Sequence, residues 1–217
     1  MTEIKTFVQN THYKLHSDGR FIDKIQDRFE QHPLSEAAMS EQDHALKGQF
    51  SLWMSQYDAL RPERIPYNNG LPVAIPGKVE VERYDYGYPG VTYRDATEGN
   101  SGRGFYRSDD VDIVSEKGRH RVTDTKAGEW LEYSVDIKQT GTYKLSVSYA
   151  GTQEGIIRFE GSGQTLIDSI ALKPTGAMDR YESLRAGGVH LKAGRQVLRL
   201  HIEQGDMQLD HFTITAN

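Results

Sequence analysis

Residues 122–135 read VTDTKAGEWLEYSV, and the side chains from Glu129 onward alternate with a period of two. This alternation is typical of a β-strand. Similar short segments, rich in β-branched and aromatic residues, occur on both sides of it, and glycine-rich connections such as QTGT, EGSGQ and KAGR separate them. They are VEVERYDY (79–86), TYKLSVSYA (142–150), GIIRFEG (155–161), QTLIDSIAL (164–172), RQVLRLHIE (195–203) and MQLDHFTIT (207–215).

Short strands at this spacing predict a mainly β chain, an antiparallel β-sandwich of the jelly-roll type. Each strand of a sandwich buries one alternating set of side chains and exposes the other. In QVLRLHI we expect Val197 and its alternate neighbours to be the buried set. The sandwich is predicted to span residues 79–217.

The N-terminal residues 1–61 have a different pattern and predict a small α+β segment. THYKLHSDGRFID alternates around Ser17-Asp18-Gly19, which predicts a hairpin. Ser40 is suited to cap a helix that ends before Pro62, and one apolar stripe follows along it: Leu46, Phe50, Trp53, Tyr57 and Leu60. Residues 62–78 carry four prolines and an Asn-Gly pair, so they are predicted to be an extended linker.

Composition excludes several function classes. The chain has 217 residues, a net charge of −5 and no cysteine. The absence of cysteine excludes thiol catalysis, thiolate metal sites and disulfides, and the acidic balance argues against nucleic acid as a partner. No apolar run approaches the ~20 residues of a membrane-spanning helix, and MTEIKTFVQN lacks the apolar core of a signal peptide.

Catalytic motifs are also missing from the sequence. It contains no HExxH, G-x-S-x-G or G-K-[ST], and GNSGRG and EGSGQ lack the following helix pattern of a phosphate loop. The group Asp109, Asp110 and Asp112 lacks the glycine and the final glutamate of an EF-hand, so we predict a solvated edge or turn there. No residue is identified as a nucleophile.

Several separated blocks resemble, in order, the family 6 carbohydrate-binding modules. They are VEVERYDY, GVTYRDATEGNSGRGFYRSDDVDI, TKAGEWLEYSVDI, GTYKLSVSYA and QLDHFTI, and the resemblance covers residues 78–217. It implies a noncatalytic β-sandwich that is usually tethered to an enzyme acting on polysaccharide. The DATEGNSG block is most similar to modules attached to agarases.

The resemblance implies a structural calcium ion and a sugar cleft. The carboxylates that match the family's calcium ligands are Glu80, Glu82 and Asp210; a solvated acidic strand face is the alternative, and oxygen ligands suit calcium. The family's cleft at the loop end uses two aromatic platforms and an asparagine. At the matching positions this chain has Asp124, Met178 and Gln208, so the cleft has either changed its ligand or ceased to bind.

Two further features bear on the ligand. KGRHR (117–121) is a basic run predicted to be a loop, and its arginines, Arg121 among them, are suited to bind sulfate or carboxylate oxygens. Trp130 matches an aromatic that lines a second cleft, on the concave sheet, in some relatives; a packed tryptophan is the alternative.

Residues 1–61 resemble, more weakly, the C-terminal subdomain of sulfatases. The resemblance rests on Tyr13, Lys14, Leu15, Asp18, Gly19, Phe21, Asp23, Asp27, Glu30, Pro33 and Leu34. The chain lacks the Cys or Ser in C/S-x-P-x-R that such enzymes convert to their nucleophile. We therefore expect a sulfatase-like tail joined to its binding module, without catalytic activity, in a parent protein that is secreted or periplasmic.

Three functional classes are consistent with the sequence. The first is binding of polysaccharide or oligosaccharide, with an anionic or sulfated algal galactan as the expected ligand and the missing catalytic domain as the partner. The second is a structural sandwich packed on a sulfatase-like enzyme, and the third is hydrolysis at an unrecognised site. No nucleic-acid or membrane partner is expected.

Overall fold

The computed structural model describes residues 7–16, 19–60, 64–102 and 106–216. Side chains 55–60 lie outside this description, as do Ser17, Asp18 and Pro62, so the predicted hairpin turn and the end of the helical stripe fall outside it. The chain divides into two compact units, Met1–Pro62 and Glu63–Asn217. Among the described residues, no helix combines the length and apolarity needed to cross a membrane.

The first unit is a small sheet with one long helix. Strands β1 (Phe7–Gln9), β2 (Tyr13–His16) and β3 (Phe21–Asp23) form an antiparallel sheet in that order. A 3-10 turn (Glu36–Ala38) precedes helix α1 (Glu41–Leu60). The pairing of β2 with β3 agrees with the hairpin predicted for THYKLHSDGRFID.

Helix α1 begins where the sequence predicts. The Ser40 hydroxyl oxygen accepts a hydrogen bond from the Asp43 backbone N–H (3.2 Å), and the Asp43 carboxylate accepts one from the Ser40 N–H (2.9 Å). These reciprocal bonds satisfy two backbone donors at the helix start. Phe50 is buried against Leu15 and Phe21, whereas Trp53 is 46% exposed and only stacks on Phe50. The apolar stripe is therefore a packing face in its first half.

The second unit contains the remaining strands. They are β4 (Arg64–Ile65), β5 (Val73–Ile75), β6 (Gly77–Glu80), β7 (Tyr86–Gly87), β8 (Tyr93–Arg94), β9 (Ile113–Glu116), β10 (Arg119–Val122), β11 (Trp130–Ile137), β12 (Gly141–Gly151), β13 (Gly155–Gly161), β14 (Gln164–Leu172), β15 (Glu182–Leu191), β16 (Gly194–Gln204) and β17 (Met207–Ala216).

Twelve of these strands form two six-stranded sheets, and β4 pairs with β7 in a separate two-stranded sheet. The first sheet has the order β15-β12-β17-β10-β9, with β6 also paired to β17. The second has the order β14-β13-β16-β11-β5, with β8 also paired to β11. Large side chains from both sheets meet in one core, among them Tyr133, Phe159, Leu145 and Phe212. The predicted antiparallel sandwich is confirmed, apart from the parallel pair β5–β11.

The buried set on β16 differs from the expectation. Leu198, Leu200 and Ile202 are at most 1% exposed, whereas Val197 is only half-buried. The expected phase was therefore wrong by one residue, because the set that contains Val197 also contains Arg199 and His201. The alternative set contains three aliphatic residues in a row, Leu198, Leu200 and Ile202, and gains more from burial.

Three segments have local structures that differ from the expectations. VEVERYDY is a strand only to Glu80 and then forms a 3-10 turn, Val81–Arg83. KGRHR is not a loop: Lys117 and Gly118, both with positive φ, form the turn of a hairpin between β9 and β10. The described part of the predicted linker, residues 64–78, supplies β4, β5 and the start of β6 to the second unit.

Candidate functional site

Three separate loops meet where β17 begins. The Thr125 hydroxyl oxygen accepts hydrogen bonds from the backbone N–H groups of Met207 (3.2 Å) and Asp206 (3.3 Å). Met207 pairs with Gly151 on β12, and the Gly151 N–H donates to the Thr175 hydroxyl (3.0 Å). These bonds bring the loops that carry Asp124 and Met178 to the strand end that carries Gln208. We call this place the loop-end cleft.

Asp124 precedes TKAGEW (residues 125–130), the turn that enters β11, which we call the TKAGEW corner. Its φ of 49° is in the left-handed region, which Asp adopts more readily than most residues. The Ser101 hydroxyl donates to its carboxylate over 3.4 Å, and the side chain remains partly exposed, as does that of Met178. The loop-end cleft therefore has the Asp124 carboxylate and the Met178 thioether at the positions that match the aromatic platforms of family 6 modules.

Glu129 holds the other side of this corner in place. It is 6% exposed, and its two carboxylate oxygens accept backbone N–H groups from Lys126 (2.9 Å) and Ala96 (3.2 Å). Burial raises the pKa of Glu129 to about 7, and the nearby carboxylates of Asp95 and Asp112 contribute to the rise. This glutamate is a structural part of the corner.

Tyr181 connects Gln208 with Arg121. Its hydroxyl donates a hydrogen bond to Gln208 Oε1, and its ring centroid lies 4.6 Å from the Arg121 guanidinium carbon. Arg121 is only 8% exposed, and its Nε lies 3.6 Å from Asp210 Oδ1 without a hydrogen-bond partner among the described residues. Arg121 is thus covered by Tyr181, whereas Arg119 and Arg180 are exposed.

Trp130 lies elsewhere, on the outer face of the second sheet. Its neighbours Leu131 and Tyr133 point into the core, and Trp130 itself is 9% exposed. The Arg199 guanidinium carbon lies 4.0 Å above its ring, and Glu132 Oε1 accepts a hydrogen bond from Arg199 Nε over 2.7 Å. A sugar ring that stacked on Trp130 would have to displace Arg199.

Glu80, Asp210 and His211 form a group of potential metal ligands. Their ligand atoms all lie within 4.8 Å of one another. His211 is directly opposite Glu80 on the neighbouring strand β6. Ser148 pairs with His211 and Tyr149 with Leu209, so Asp210 is an extra residue, a β-bulge, in β17. Because a bulge interrupts strict alternation, Asp210 and His211 are brought close together, and Asp210 Oδ2 lies 2.8 Å from His211 Nδ1.

Glu82, on the 3-10 turn, lines the same cavity as this group. Glu80, Glu82, Asp210 and His211 line one surface cavity of about 270 Å³, which we call the carboxylate pocket. Glu82 is 3% exposed, and its Oε2 has no hydrogen-bond partner within the described residues. Burial raises the pKa of Glu82 to about 7, and the charges of Glu80 and Asp210 also raise it. A buried carboxylate with an unpaired oxygen is costly without a compensating cation.

The structure thus groups the predicted residues into separate places. The loop-end cleft contains Asp124, Met178 and Gln208, with Arg121 beneath Tyr181. The carboxylate pocket contains Glu80, Glu82 and Asp210. Trp130 belongs to neither place. Sequence reasoning missed Tyr181 and His211. The only available signals were their positions, three residues after Met178 and one after Asp210.

Comparison with known proteins shows which modules the second unit is similar to. Residues 107–214 match the family model of carbohydrate binding module family 35. A 96-residue segment is 29% identical to beta-agarase AgaO of Microbulbifer thermotolerans; it covers 42% of this chain and 8% of that protein. The match therefore spans only a small part of the agarase.

Solved structures agree on the fold. The C-terminal family 6 module of LamC, a marine laminarinase from Zobellia galactanivorans, is 19% identical, with a TM-score of 0.50 over 64% of this chain and 98% of that chain. The family 6 module of Clostridium stercorarium, solved with cellobiose, is 18% identical, with a TM-score of 0.50 over 68% and 99% of the two chains. The predicted resemblance to carbohydrate-binding modules is confirmed; the family whose model matches is family 35.

Proposed function

We propose, on the premise that residues 78–217 form a carbohydrate-binding module, that this module binds an anionic or sulfated algal galactan and targets an appended enzyme to it. Modules of this kind are noncatalytic, and their relatives bind saccharides. The observation that carries the proposal is the convergence of three loops at the start of β17, which brings together the segments of Asp124, Met178 and Gln208.

The galactan is favoured by the agarase relative and by the chemistry of the cleft. The positions matching the family's platforms hold Asp124 and Met178, so the stacking surface that neutral pyranose rings use is missing. Arg119 and Arg180 are exposed and can attract sulfate or carboxylate groups; Arg180 precedes Tyr181, and Arg119 is two residues from Arg121 on β10. Arg121 lies beneath the Tyr181 ring, and its positive charge adds to the attraction of an anionic ligand although the side chain itself is buried.

The same proposal includes a structural calcium ion in the carboxylate pocket. Glu80, Glu82 and Asp210 would hold it, and the unpaired Glu82 Oε2 fits this assignment because calcium binds carboxylate oxygens. The N-terminal unit is proposed to be the end of a sulfatase-like enzyme. Its parent would then be secreted or periplasmic, where such polysaccharides are encountered.

The test compares one polysaccharide with and without its charge. Affinity electrophoresis and titration calorimetry would use a sulfated galactan and its chemically desulfated form. We expect binding to the sulfated form that weakens as salt is raised, since exposed charges are screened beyond about 10 Å at 0.1 M salt. The double change Arg119→Gln and Arg180→Gln should weaken it further.

Arg195→Gln is the matched control, because Arg195 is exposed on a strand of the other sheet. Tight, salt-insensitive binding to a neutral glucan or xylan would overturn the anionic ligand. Failure to bind any polysaccharide would favour the structural sandwich instead.

A further inference from the structure

We infer that the carboxylate pocket also binds a zinc-class divalent cation, with His211 as the ligand that separates this class from calcium. The inference rests on the cation pocket of the proposed function and extends it. It assigns a role to His211, which the resemblance to family 6 does not include.

The first step is the donor set. Calcium takes oxygen ligands, whereas zinc and related ions accept imidazole nitrogen together with carboxylate oxygen. Glu80 and Asp210 supply the carboxylates and His211 supplies the nitrogen. Among the described residues, this is the group in which three His, Asp or Glu side chains bring their ligand atoms within 4.8 Å.

The second step is how the backbone builds the group. His211 and Glu80 are held opposite each other by the β6–β17 pairing, and the bulge at Asp210 brings the next side chain to the same place. Ligand atoms around a tetrahedral zinc ion are roughly 3.4 Å apart, given metal–ligand bonds of about 2.1 Å. The group therefore needs only small side-chain rotations to close around an ion.

The third step is the unpaired buried carboxylate. Only 3% of the Glu82 surface is exposed, and the residue lines the same cavity. Its charge interacts with the charges of Glu80 and Asp210. Its free Oε2 is therefore an independent sign that the pocket takes a cation. Several positive groups compete with an ion here: Lys78 lies 2.5 Å from Glu80, Arg83 3.6 Å from Glu82 and Arg121 3.6 Å from Asp210. The exposed Arg119 also lines the cavity. Lys78 is about half exposed, so it can move to solvent when an ion enters.

The experiment uses the whole chain without an affinity tag, stripped of metal with EDTA and desalted. Titration calorimetry with ZnCl₂ and, separately, CaCl₂ measures each ion alone, and Co²⁺ absorption reports on nitrogen ligation. We expect one high-affinity zinc equivalent in the wild type. His211→Gln should weaken zinc binding about tenfold or more, abolish the Co²⁺ bands and leave calcium binding unchanged. Glu80→Gln should weaken both ions.

His190→Gln is the matched control for adventitious zinc on surface histidines, because His190 is exposed on β15; it should behave as wild type. The inference is overturned if zinc does not bind, if His211→Gln binds it as the wild type does, or if His211→Gln weakens calcium equally. Calcium binding without zinc binding would overturn this inference but not the proposed calcium site. Circular dichroism of each variant establishes that it is folded.

Discussion

Glu82→Gln should stabilise the sandwich in chelator, and a bound cation should remove most of that difference from the wild type. The substitution keeps the shape of the side chain and removes its charge. In chelator, the charged Glu82 is buried beside Glu80 and Asp210 with one oxygen unpaired. Removing that charge should therefore stabilise the cation-free protein. With a cation bound, the same substitution also removes a ligand, so the variant should gain much less stability from the ion than the wild type does.

The magnitude follows from the pKa of Glu82, which is raised from 4.5 to about 7. At roughly 1.4 kcal/mol per pKa unit, the buried charge costs about 3 kcal/mol at pH 8. Glu82→Gln should recover up to this amount in EDTA. For the wild type, a cation at 100 times its dissociation constant adds about 2.7 kcal/mol to the free energy of unfolding. The variant should lose most of that gain.

The assay is urea denaturation at pH 8, once in EDTA and once in calcium. The chain has two tryptophans, Trp53 in the first unit and Trp130 in the second. A Trp53→Phe background therefore makes fluorescence report on the sandwich alone. Glu98→Gln, which removes an exposed carboxylate, is the matched control and should change neither condition. The reasoning is refuted if Glu82→Gln is less stable than the wild type in EDTA, or if calcium stabilises both proteins equally.

Further predictions concern the cleft, the corner and catalysis. Tyr181→Phe removes the hydrogen bond to Gln208, so polysaccharide affinity by calorimetry should fall by roughly 0.5–1.5 kcal/mol while the melting temperature changes little; unchanged affinity would exclude Tyr181 from the cleft. Because the folded-state pKa of Glu129 is raised to about 7, its contribution to stability is complete below about pH 4.5 and is lost as pH rises through 7. Melting curves of the Glu82→Gln variant in EDTA should show this decline, and Glu129→Gln should flatten it. The chain should release no sulfate from aryl or sugar sulfates in an ion-chromatography assay, because it lacks the nucleophile motif; turnover abolished by a substitution within this chain would contradict that.

Much of the fold was predictable because its determinants are local. In the strands on both sides of the TKAGEW corner, the alternation of apolar and polar side chains is visible in the sequence itself. The four residues from Ser40 to Asp43 likewise contain the whole capping pattern of helix α1. The phase of β16 was also present in the sequence. One alternating set contains Leu198, Leu200 and Ile202, and hydrophobic burial decides between two sets by their total apolar surface.

The site was less predictable because its determinants are nonlocal. Strict alternation places Asp210 and His211 on opposite faces, and only the pairing of β17 with β12 reveals the bulge that brings them together. Tyr181 reaches Gln208 across a chain separation of 27 residues. Nothing in the sequence GAMDRY (176–181) indicates that Tyr181 provides the aromatic ring beside Gln208, three residues after the platform position that Met178 occupies.

The cleft and the carboxylate pocket share one strand, and this affects how each is tested. Gln208 and Asp210 are two residues apart on β17; Tyr181 bonds Gln208 and covers Arg121, whose Nε lies 3.6 Å from Asp210. An ion bound by Asp210 competes with Arg121 for that carboxylate, so it leaves more of the arginine's charge available to the cleft. We therefore expect binding of an anionic galactan to be tighter with the cation than in chelator. Tyr181→Phe should lower affinity in both conditions while preserving that difference, because the substitution removes only the hydroxyl and the phenylalanine ring still covers Arg121.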